Sequence, residues 1–326
     1  MAKKVIAYNR IEEPVLQQLK KSYDVRFFKD IDPKTDDEFL AFLKEAEGII
    51  GLGLPVDSEL VQHAPNLKIV SNISVGYNNL DIPTLNKHHI MATNTPDVLN
   101  DTVADTIFGL LIATARRIPE LDQLVKRAEW TVEALGSEYY GTDVHHKTLG
   151  IIGLGRIGQA IAKRAHFGFD MNILYHNRSR KKDAEQAVNA TYCEMDTLLK
   201  QSDFVCLMTP LTPETEGLIG KREFTLMKES AIFINGSRGK TVVEQDLITA
   251  LKNGDIKAAG LDVFEQEPIE NDNPLLTMKQ VVTTPHIGSS TKETELKMSK
   301  LAATNLEAGL NGEIPPNLIN RELWQS

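Results

Sequence analysis

Cysteine and aromatic residues are scarce in this chain. Its 326 residues include two cysteines, and 6% of the residues are aromatic. Cys193 and Cys206 are too few and too far apart for a disulfide framework or a C-x-x-C motif, which favours a reducing compartment. We therefore expect a cytoplasmic protein, and no residue pattern in the sequence predicts a metal site.

Long hydrophobic runs and an excess of positive charge are also missing. The longest apolar run, around Ile107–Ala115, is about half of the roughly 18 residues that a membrane span needs. The start, MAKKVIAYNR, has too short an apolar run for a signal peptide. Acidic residues outnumber basic ones by 45 to 36, a net charge of −9, which disfavours nonspecific binding to nucleic acid. From these absences we expect a protein that is neither secreted nor embedded in a membrane and that does not bind nucleic acid.

Short β-branched runs alternate with amphipathic segments along nearly the whole chain, a pattern typical of α/β proteins with parallel sheets. The length favours about two domains. A first series of predicted strands comprises Val5–Tyr8, Val25–Phe28, Gly48–Leu52, Leu67–Ile73 and Ile90–Thr93. A second series comprises Leu149–Gly153, Asn172–Tyr175, Phe204–Met208, Ala231–Asn235, Ala258–Val263 and Val281–Thr284. Two separate series predict two doubly wound parallel-sheet domains.

Two long predicted helices, Asn100–Arg117 and Lys292–Leu310, lie where the two series join. The second of them would return the chain to the first unit. We therefore expect one discontinuous domain, 1–99 with 292–326, and a second domain over 100–291. The segment 118–146 is charged and has no clean apolar period, so it is either a long surface loop or an arm that packs on another subunit.

A glycine motif, GLGRIG, occupies Gly153 to Gly158. It follows a predicted strand and opens the predicted helix Ile157–Ala165, the context that makes a G-x-G-x-x-G specific for dinucleotides. Gly153 permits the tight turn, Gly155 lets the backbone approach the pyrophosphate, and Gly158 lets the helix pack on the strand. The amides at the helix N-terminus are then available to the phosphates.

The end of the next strand indicates which dinucleotide binds. An NAD site usually places a carboxylate there for the ribose hydroxyls, but this chain has Asn177, Arg178, Ser179 and Arg180. Guanidinium groups match a phosphate dianion, which a carboxylate would repel. The turn therefore favours NADP(H), with NAD(H) still possible; the alternative is a solvated basic turn.

Three later strands of the second series each end near a residue suited to catalysis. Arg238 follows the first of them, Asp262, Glu265 and Glu267 follow the next, and His286 follows the last. Open α/β sheets bind ligands at the carboxyl ends of their strands. Of the eight histidines, His286 alone lies at such a strand end among small residues, so we select it as the candidate acid–base group.

At this point the chain resembles the D-isomer-specific 2-hydroxyacid dehydrogenases over essentially its whole length. The resemblance depends on six motifs in the family's order: VGYNNLD (Val75–Asp81), NTPDVLNDTVAD (Asn94–Asp105), GLGRIG, NGSRG (Asn235–Gly239), LDVFEQEP (Leu261–Pro268) and PHIGSST (Pro285–Thr291). Within the family, LDVFEQEP and the basic NRSR turn are most similar to glyoxylate/hydroxypyruvate reductases and 2-ketogluconate reductases. The resemblance implies a flavodoxin-like substrate domain, a Rossmann cofactor domain and a dimerisation arm at 118–146. One departure is Asp105, where many relatives carry glutamate.

The resemblance also implies roles for individual residues. The catalytic three would be Arg238, Glu267 and His286. The substrate would bind through the amides of Val75 and Gly76 and through Arg238 and His286. Further cofactor contacts are implied for Arg156, Ile157, Thr102, Thr209, Ser237, Asp262 and Gly288.

Motifs and resemblance together predict an NADPH-dependent reductase of small 2-oxo acids such as glyoxylate, hydroxypyruvate and 2-ketogluconate. His286 would supply the proton, and Glu267 would favour its protonated form because an adjacent anion stabilises imidazolium. Two alternatives stay open. One is an NAD-linked relative acting on phosphoglycerate or another hydroxy acid, and the other is a dinucleotide-sensing binding protein without catalytic activity.

Overall fold

The computed structural model describes residues 2–324, and these divide into two compact units. The first unit contains the described residues up to Leu99 and from Ser290 onward, and the second contains Asn100–Ser289. The sequence placed the return to the first unit at Lys292, within two residues of the change at Ser290.

Strands and helices alternate along most of the chain. The strands are β1 (Lys4–Tyr8), β2 (Asp24–Phe28), β3 (Ala46–Gly51), β4 (Ile69–Asn72), β5 (Met91–Thr93), β6 (Thr148–Ile152), β7 (Asn172–His176), β8 (Ala190–Tyr192), β9 (Phe204–Leu207), β10 (Ile232–Asn235), β11 (Ala258–Leu261) and β12 (Val281–Thr283). The helices are α1 (Glu13–Leu19), α2 (Asp37–Leu43), α3 (Ser58–Gln62), α4 (Ile82–Lys87), α5 (Asn100–Ala115), α6 (Ile118–Lys126), α7 (Arg156–Phe169), α8 (Lys182–Val188), α9 (Met195–Gln201), α10 (Lys221–Leu226), α11 (Glu244–Asn253) and α12 (Lys292–Leu310).

The first unit is built on a five-stranded parallel sheet with the order β2-β1-β3-β4-β5. This is the order of flavodoxin-like folds. Aspartate side chains begin three of its helices: Asp36, Asp57 and Asp81 each accept a hydrogen bond from a backbone amide in the first turn that follows. Such caps satisfy amides that the helix itself leaves unpaired. Helix α12 packs on β3 and β4, so the end of the chain completes this unit.

The second unit is built on a seven-stranded parallel sheet with the order β12-β11-β10-β9-β6-β7-β8. Counted from β6, this is the 3-2-1-4-5-6 order of Rossmann folds with one further strand at the edge. The order reverses between β6 and β9, and ligands bind at such a switch point beyond the carboxyl ends of the strands. The predicted α/β class with two doubly wound parallel sheets is therefore confirmed.

Segment 118–146 was predicted as unpatterned, and for its first part this was wrong. Ile118–Lys126 forms an α-helix, α6, and Ser137–Tyr139 forms one 3₁₀ turn. Proline in the first turn pre-sets the helical backbone of α6. None of the residues of α6 is buried, but its apolar residues Ile118, Leu121, Leu124 and Val125 recur at a helical spacing that the sequence analysis missed.

Other differences concern short elements. The sequence analysis did not predict β8, α8 or α10, which have three, seven and six residues. All of helix α5 belongs to the second unit, where it packs on α7, β10 and β11. Within residues 2–324, every helix is too short or too polar to cross a membrane.

Candidate active site

The turn after β10 presents Arg238. The side-chain oxygen of Asn235 accepts hydrogen bonds from the amide and the hydroxyl of Ser237, at 3.0 and 2.8 Å. Thr241 Oγ1 then donates to the carbonyl of Arg238 at 2.6 Å. An asparagine that bonds to the backbone two residues later is a common way to close a turn. The backbone of Arg238 is therefore held from both sides, while its guanidinium Nη1 donates to the Ser237 carbonyl at 2.6 Å.

Gly239 brings this turn against the segment that carries Glu267. A Cβ atom on Gly239 would lie 1.8 Å from the carbonyl of Phe264, so no other residue permits this approach. The amide of Phe264 in turn donates to Glu267 Oε1 at 3.0 Å. The loop after β11 is thus fitted to the turn after β10 through backbone contacts.

His286 and Glu267 form a hydrogen-bonded pair. His286 Nδ1 lies 2.7 Å from Glu267 Oε2, which leaves Nε2 as the ring nitrogen that can act on a substrate. The imidazole is 46% exposed, so a small molecule can reach it. The backbone of His286 has a φ of 51°, the left-handed region in which histidine is more frequent than most residues. This conformation turns the chain sharply after β12 and places the ring beside the β11 loop.

Charge and burial have opposite effects on the pKa values of Glu267 and Arg238. Burial opposes ionisation of Glu267, but the hydrogen bonds from His286 and Phe264 and the charges of His286 and Arg238 outweigh it and lower its pKa. Glu267 is therefore a carboxylate at neutral pH. Burial lowers the pKa of Arg238 against the opposing effect of Glu267, and a guanidinium remains charged under such conditions.

Asp262 fixes the loop that carries His286. It is 2% exposed, and its Oδ1 accepts from Thr284 Oγ1 at 2.7 Å and from the Ile287 amide at 2.9 Å. Its Oδ2 accepts from the Gly288 amide at 3.0 Å. These three bonds tie the residues on both sides of His286 to the end of β11. The predicted contact of Asp262 with the nicotinamide amide stays a prediction beside this observed role.

The glycine motif occupies the turn between β6 and α7. Gly153 has a φ of 104°, and a Cβ atom there would lie 2.7 Å from the Met208 carbonyl oxygen, so glycine is required. Gly155 precedes the first residue of α7, Arg156, and Gly158 is buried in the first turn. The helix begins one residue earlier than predicted, and the amides of Arg156 and Ile157 are in its first turn, where no earlier carbonyl of the helix can accept from them.

The basic turn after β7 differs from the sequence-based prediction in the partner of one of its arginines. Asn177 Oδ1 accepts from the amide of Leu154 at 2.7 Å, which ties this turn to the glycine motif. Arg178 and Ser179 are exposed. Arg180, however, forms a two-point salt bridge with Glu185 of α8, at 2.7 and 3.0 Å. Two guanidiniums were expected to face a phosphate, and one of them is engaged by a carboxylate.

The remaining predicted cofactor contacts differ in whether their polar groups already have hydrogen-bond partners in the protein. Thr102 lies in the first turn of α5, and Gly288 accepts a hydrogen bond from Thr106 at 3.1 Å. The hydroxyl of Ser237 is used inside its own turn. The hydroxyl oxygen of Thr209 is buried without a hydrogen-bond partner in the part of the chain that the structure describes.

The two predicted substrate contacts lie in the first unit, in the loop after β4. Asn94 donates to the Val75 carbonyl at 2.8 Å, and Asn72 donates to the Gly76 carbonyl at 3.1 Å. The side chains around this loop therefore hold it by its carbonyl groups. The binding of a carboxylate by the Val75 and Gly76 amides stays a prediction.

Two observations test whether the second unit fits a dinucleotide. A Cβ atom on Gly155 would meet nothing within 4 Å, so there is open space where the motif predicts the pyrophosphate. The partnerless hydroxyl oxygen of Thr209 follows β9 directly, on the other side of the switch point from the glycine turn. A buried oxygen without a partner is costly unless a ligand or water supplies one, so both features fit a bound dinucleotide.

The sequence analysis missed several positioning residues. Asn235, Thr284 and Thr106 hold the turns that carry Arg238 and His286. The spacing of Asn235 and Ser237 was a usable signal, because asparagine often bonds to the backbone two residues on. No local signal identifies Glu185 or Thr106, whose partners lie on other elements. Across residues 2–324, no three histidine, cysteine, aspartate or glutamate residues are grouped closely enough to hold a metal ion.

Comparison with known proteins connects this geometry to relatives. The chain is 50% identical over 320 residues to "Glyoxylate/hydroxypyruvate reductase B" of Escherichia coli O1:K1 / APEC, a match that covers 98% of each chain. A crystal structure of a protein from Thermus thermophilus superposes with a TM-score of 0.89 at 35% identity, covering 97% of this chain and 99% of that one. An NADPH-dependent glyoxylate/hydroxypyruvate reductase from Sinorhizobium meliloti, solved with NADP and malonate, has a TM-score of 0.88 at 31% identity, covering 98% of this chain and 97% of that one.

The family assignment follows from a second comparison. Residues 108–288, which include the glycine motif, Arg238, Glu267 and His286, match the model of the NAD-binding domain of D-isomer specific 2-hydroxyacid dehydrogenases. The resemblance seen in the six motifs is thereby confirmed: this chain belongs to the D-isomer specific 2-hydroxyacid dehydrogenase family.

Proposed function

We propose that this protein reduces small 2-oxo acids, such as glyoxylate and hydroxypyruvate, to D-2-hydroxy acids with NADPH as the preferred hydride donor. The observation that carries the proposal is the His286–Glu267 pair, with 2.7 Å between its hydrogen-bonding atoms, at strand ends that adjoin the Arg238 turn. The names of relatives at 50% and 31% identity support it. A cytoplasmic location remains part of this proposal.

Residues of the second unit have separate roles in the proposed reaction. When bound, the nicotinamide supplies a hydride to the keto carbon of the substrate. Protonated His286 donates a proton from Nε2 to the keto oxygen, which becomes the hydroxyl group. Glu267 holds the ring by Nδ1, so that its orientation is set before the substrate arrives and the positive charge has a partner.

Arg238 binds the substrate carboxylate and polarises the carbonyl. Its planar guanidinium can donate two parallel hydrogen bonds to a carboxylate. Among the described residues, Nη1 is the only nitrogen of this group that donates a hydrogen bond, to the Ser237 carbonyl. We assign cofactor binding to the second unit, through Gly153, Gly155, Gly158, Asn177, Arg178 and the contacts predicted above. The binding of a carboxylate by the amides of Val75 and Gly76, in the first unit, stays a prediction.

The experiment that tests this function follows the absorbance of reduced nicotinamide in the presence of glyoxylate, hydroxypyruvate or 2-ketogluconate. Each acid is offered with NADPH and with NADH. Turnover of at least one of the three supports the proposal. Turnover of none of the three but of a fourth acid in the panel, phosphohydroxypyruvate, or cofactor binding without any turnover, would instead favour one of the two alternatives left open by the sequence.

We expect NADPH to be preferred over NADH because the turn after β7 offers cations and no carboxylate to the ribose. Replacing both arginines (Arg178→Ala with Arg180→Ala) is expected to weaken NADPH binding by tenfold or more. This magnitude corresponds to the loss of charge-assisted contact with the 2′-phosphate, reduced by exposure to water. Affinities for both cofactors are measured at two salt concentrations, because screening should shrink the preference of the wild type.

The control for that measurement is the double variant's affinity for NADH, which should hardly change. Equal weakening of both cofactors, or a wild type that prefers NADH, would mean that the basic turn is only a solvated surface.

We also expect a homodimer through the segment 118–146. Val125 in α6 is 54% exposed, Trp130 is 55% exposed and Tyr140 is 66% exposed. Large apolar side chains displayed in this way, aromatic ones above all, are typical anchors of interfaces. Light scattering at micromolar concentration should therefore give twice the mass of the chain, and Trp130→Ser with Tyr140→Ser should shift it towards the monomer. A wild-type monomer at that concentration would contradict the expectation.

A further inference from the structure

The basic turn and helix α8 share a hydrogen-bond network around Glu185. Tyr175 is completely buried at the end of β7, and its hydroxyl donates to Glu185 Oε1 at 2.6 Å while accepting from the Lys181 amide at 2.8 Å. Arg180 donates to both oxygens of the same carboxylate through Nε and Nη2. The Glu185 side chain is 16% exposed and that of Arg180 is 60% exposed. The carboxylate is therefore the anchored partner, and the arginine folds back onto it.

The two arginines of this turn are thus in different states. The Nε–Nη2 edge of Arg180, through which a guanidinium can form two hydrogen bonds to an anion, is occupied by Glu185. The negative charge of Glu185 also offsets the positive charge of Arg180 at any nearby anion. Arg178, in contrast, is exposed and forms neither a hydrogen bond nor a salt bridge within the described residues. Its electrostatic effect reaches as far as Glu214, whose pKa is lowered by hydrogen bonds from Thr212 and the backbone and by the charge of Arg178.

We propose that Glu185 withholds Arg180 from the cofactor, so that Arg178 is the guanidinium that binds the 2′-phosphate and Glu185 limits the preference for NADPH. This inference rests on the proposed function, because it concerns how strongly the same turn selects its cofactor. Glu185 is a specificity-positioning residue in this account and touches neither the substrate nor the cofactor.

The ionisation of Glu185 is consistent with this role. Hydrogen bonds from Arg180 and then from Tyr175 lower its pKa, against the opposing effect of burial. Glu185 is therefore a carboxylate at neutral pH, and its salt bridge with Arg180 persists unless Glu185 is replaced. Glutamine at this position would keep an acceptor for the Tyr175 hydroxyl and remove the charge that holds Arg180.

The test compares the dissociation constants of NAD⁺ and NADP⁺, measured by calorimetry on the full chain. Their ratio, Kd of NAD⁺ over Kd of NADP⁺, isolates the contribution of the 2′-phosphate. Glu185→Gln is expected to raise this ratio about three- to tenfold, as a released guanidinium gains one exposed charge-assisted contact. Asp183→Asn is the matched control, because Asp183 is an exposed carboxylate on the same helix that takes no part in this network; its ratio should change by less than about twofold.

Two single arginine variants complete the test and do not depend on the folding of the Glu185 variant. Arg178→Ala should lower the ratio about tenfold, whereas Arg180→Ala should change it by less than about twofold. Equal losses in the two arginine variants, with no gain in Glu185→Gln, would overturn the inference.

The same data separate this inference from the proposed function. A wild-type ratio near one would contradict the NADPH preference itself. Glu185→Gln would still decide the inference in that case: a raised ratio would show that Glu185 restrains the turn, and an unchanged ratio would reject it. Thermal melting of each variant shows whether its fold is intact.

Discussion

Replacing His286 with glutamine should lower kcat by about 10²–10⁴-fold, the usual contribution of general acid catalysis, while cofactor affinity stays within about twofold of wild type. Glutamine can still donate a hydrogen bond to the keto oxygen, but it cannot transfer a proton at neutral pH. The loss should therefore appear in kcat and far less in KM, since substrate binding depends on Arg238 and not on the acid. Steady-state kinetics with glyoxylate and calorimetry with NADP⁺ measure the two effects.

The left-handed backbone at His286, with a φ of 51°, calls for a second variant. Asparagine adopts this conformation readily and is as unable to transfer a proton, so His286→Asn should reproduce the loss without backbone strain. His63→Gln serves as the control, because His63 is an exposed residue at the end of α3 in the other unit. Near-normal turnover in both His286 variants would move the proton donor to another residue.

Replacing Arg238 with lysine should lower kcat/KM by about 30- to 1,000-fold, equivalent to roughly 2–4 kcal/mol of transition-state stabilisation. The ammonium group is a point charge and cannot form the two parallel hydrogen bonds that a guanidinium makes with a carboxylate. The site also disfavours a lysine electrostatically. Burial already lowers the pKa of Arg238, and an amine, which starts from a lower pKa, loses its proton more readily under the same desolvation.

Arg222→Lys is the matched control for that result. Arg222 pairs with Asp196 on the surface, its side chain is 62% exposed, and the same substitution there should leave kcat/KM unchanged. A further readout is the affinity for oxamate, a substrate analogue that is not reduced, which should fall with Arg238→Lys as KM rises. Wild-type efficiency in Arg238→Lys would show that the substrate carboxylate binds elsewhere.

Residues whose role follows from local pattern could be identified without coordinates. The alternation of apolar strands and amphipathic helices predicts both sheets because it records which faces of each element are buried. The glycine motif is recognisable for a similar reason: Gly153 must adopt a positive φ and lie against the Met208 carbonyl, which excludes every larger residue. Arg238, His286 and three candidate carboxylates could be located because parallel strands bring their carboxyl ends to one edge, and the family resemblance then selected Glu267 among the carboxylates.

Short and exposed elements were harder to predict. Helices α8 and α10 have one or two turns each. In segments of this kind, few positions carry a period that distinguishes a helix from a loop.

The class of fold, the dinucleotide motif and the motifs that carry the three catalytic candidates could be read from the amino-acid sequence, because each is encoded by neighbouring residues along the chain. Which polar groups are already engaged became visible only in the three-dimensional structure. It placed both oxygens of Asp262 on the His286 loop, used the Ser237 hydroxyl within its turn and paired Arg180 with Glu185. A hydrogen bond depends on distance and direction to a few tenths of an ångström, and such proximity between separate elements has no signature in the order of residues.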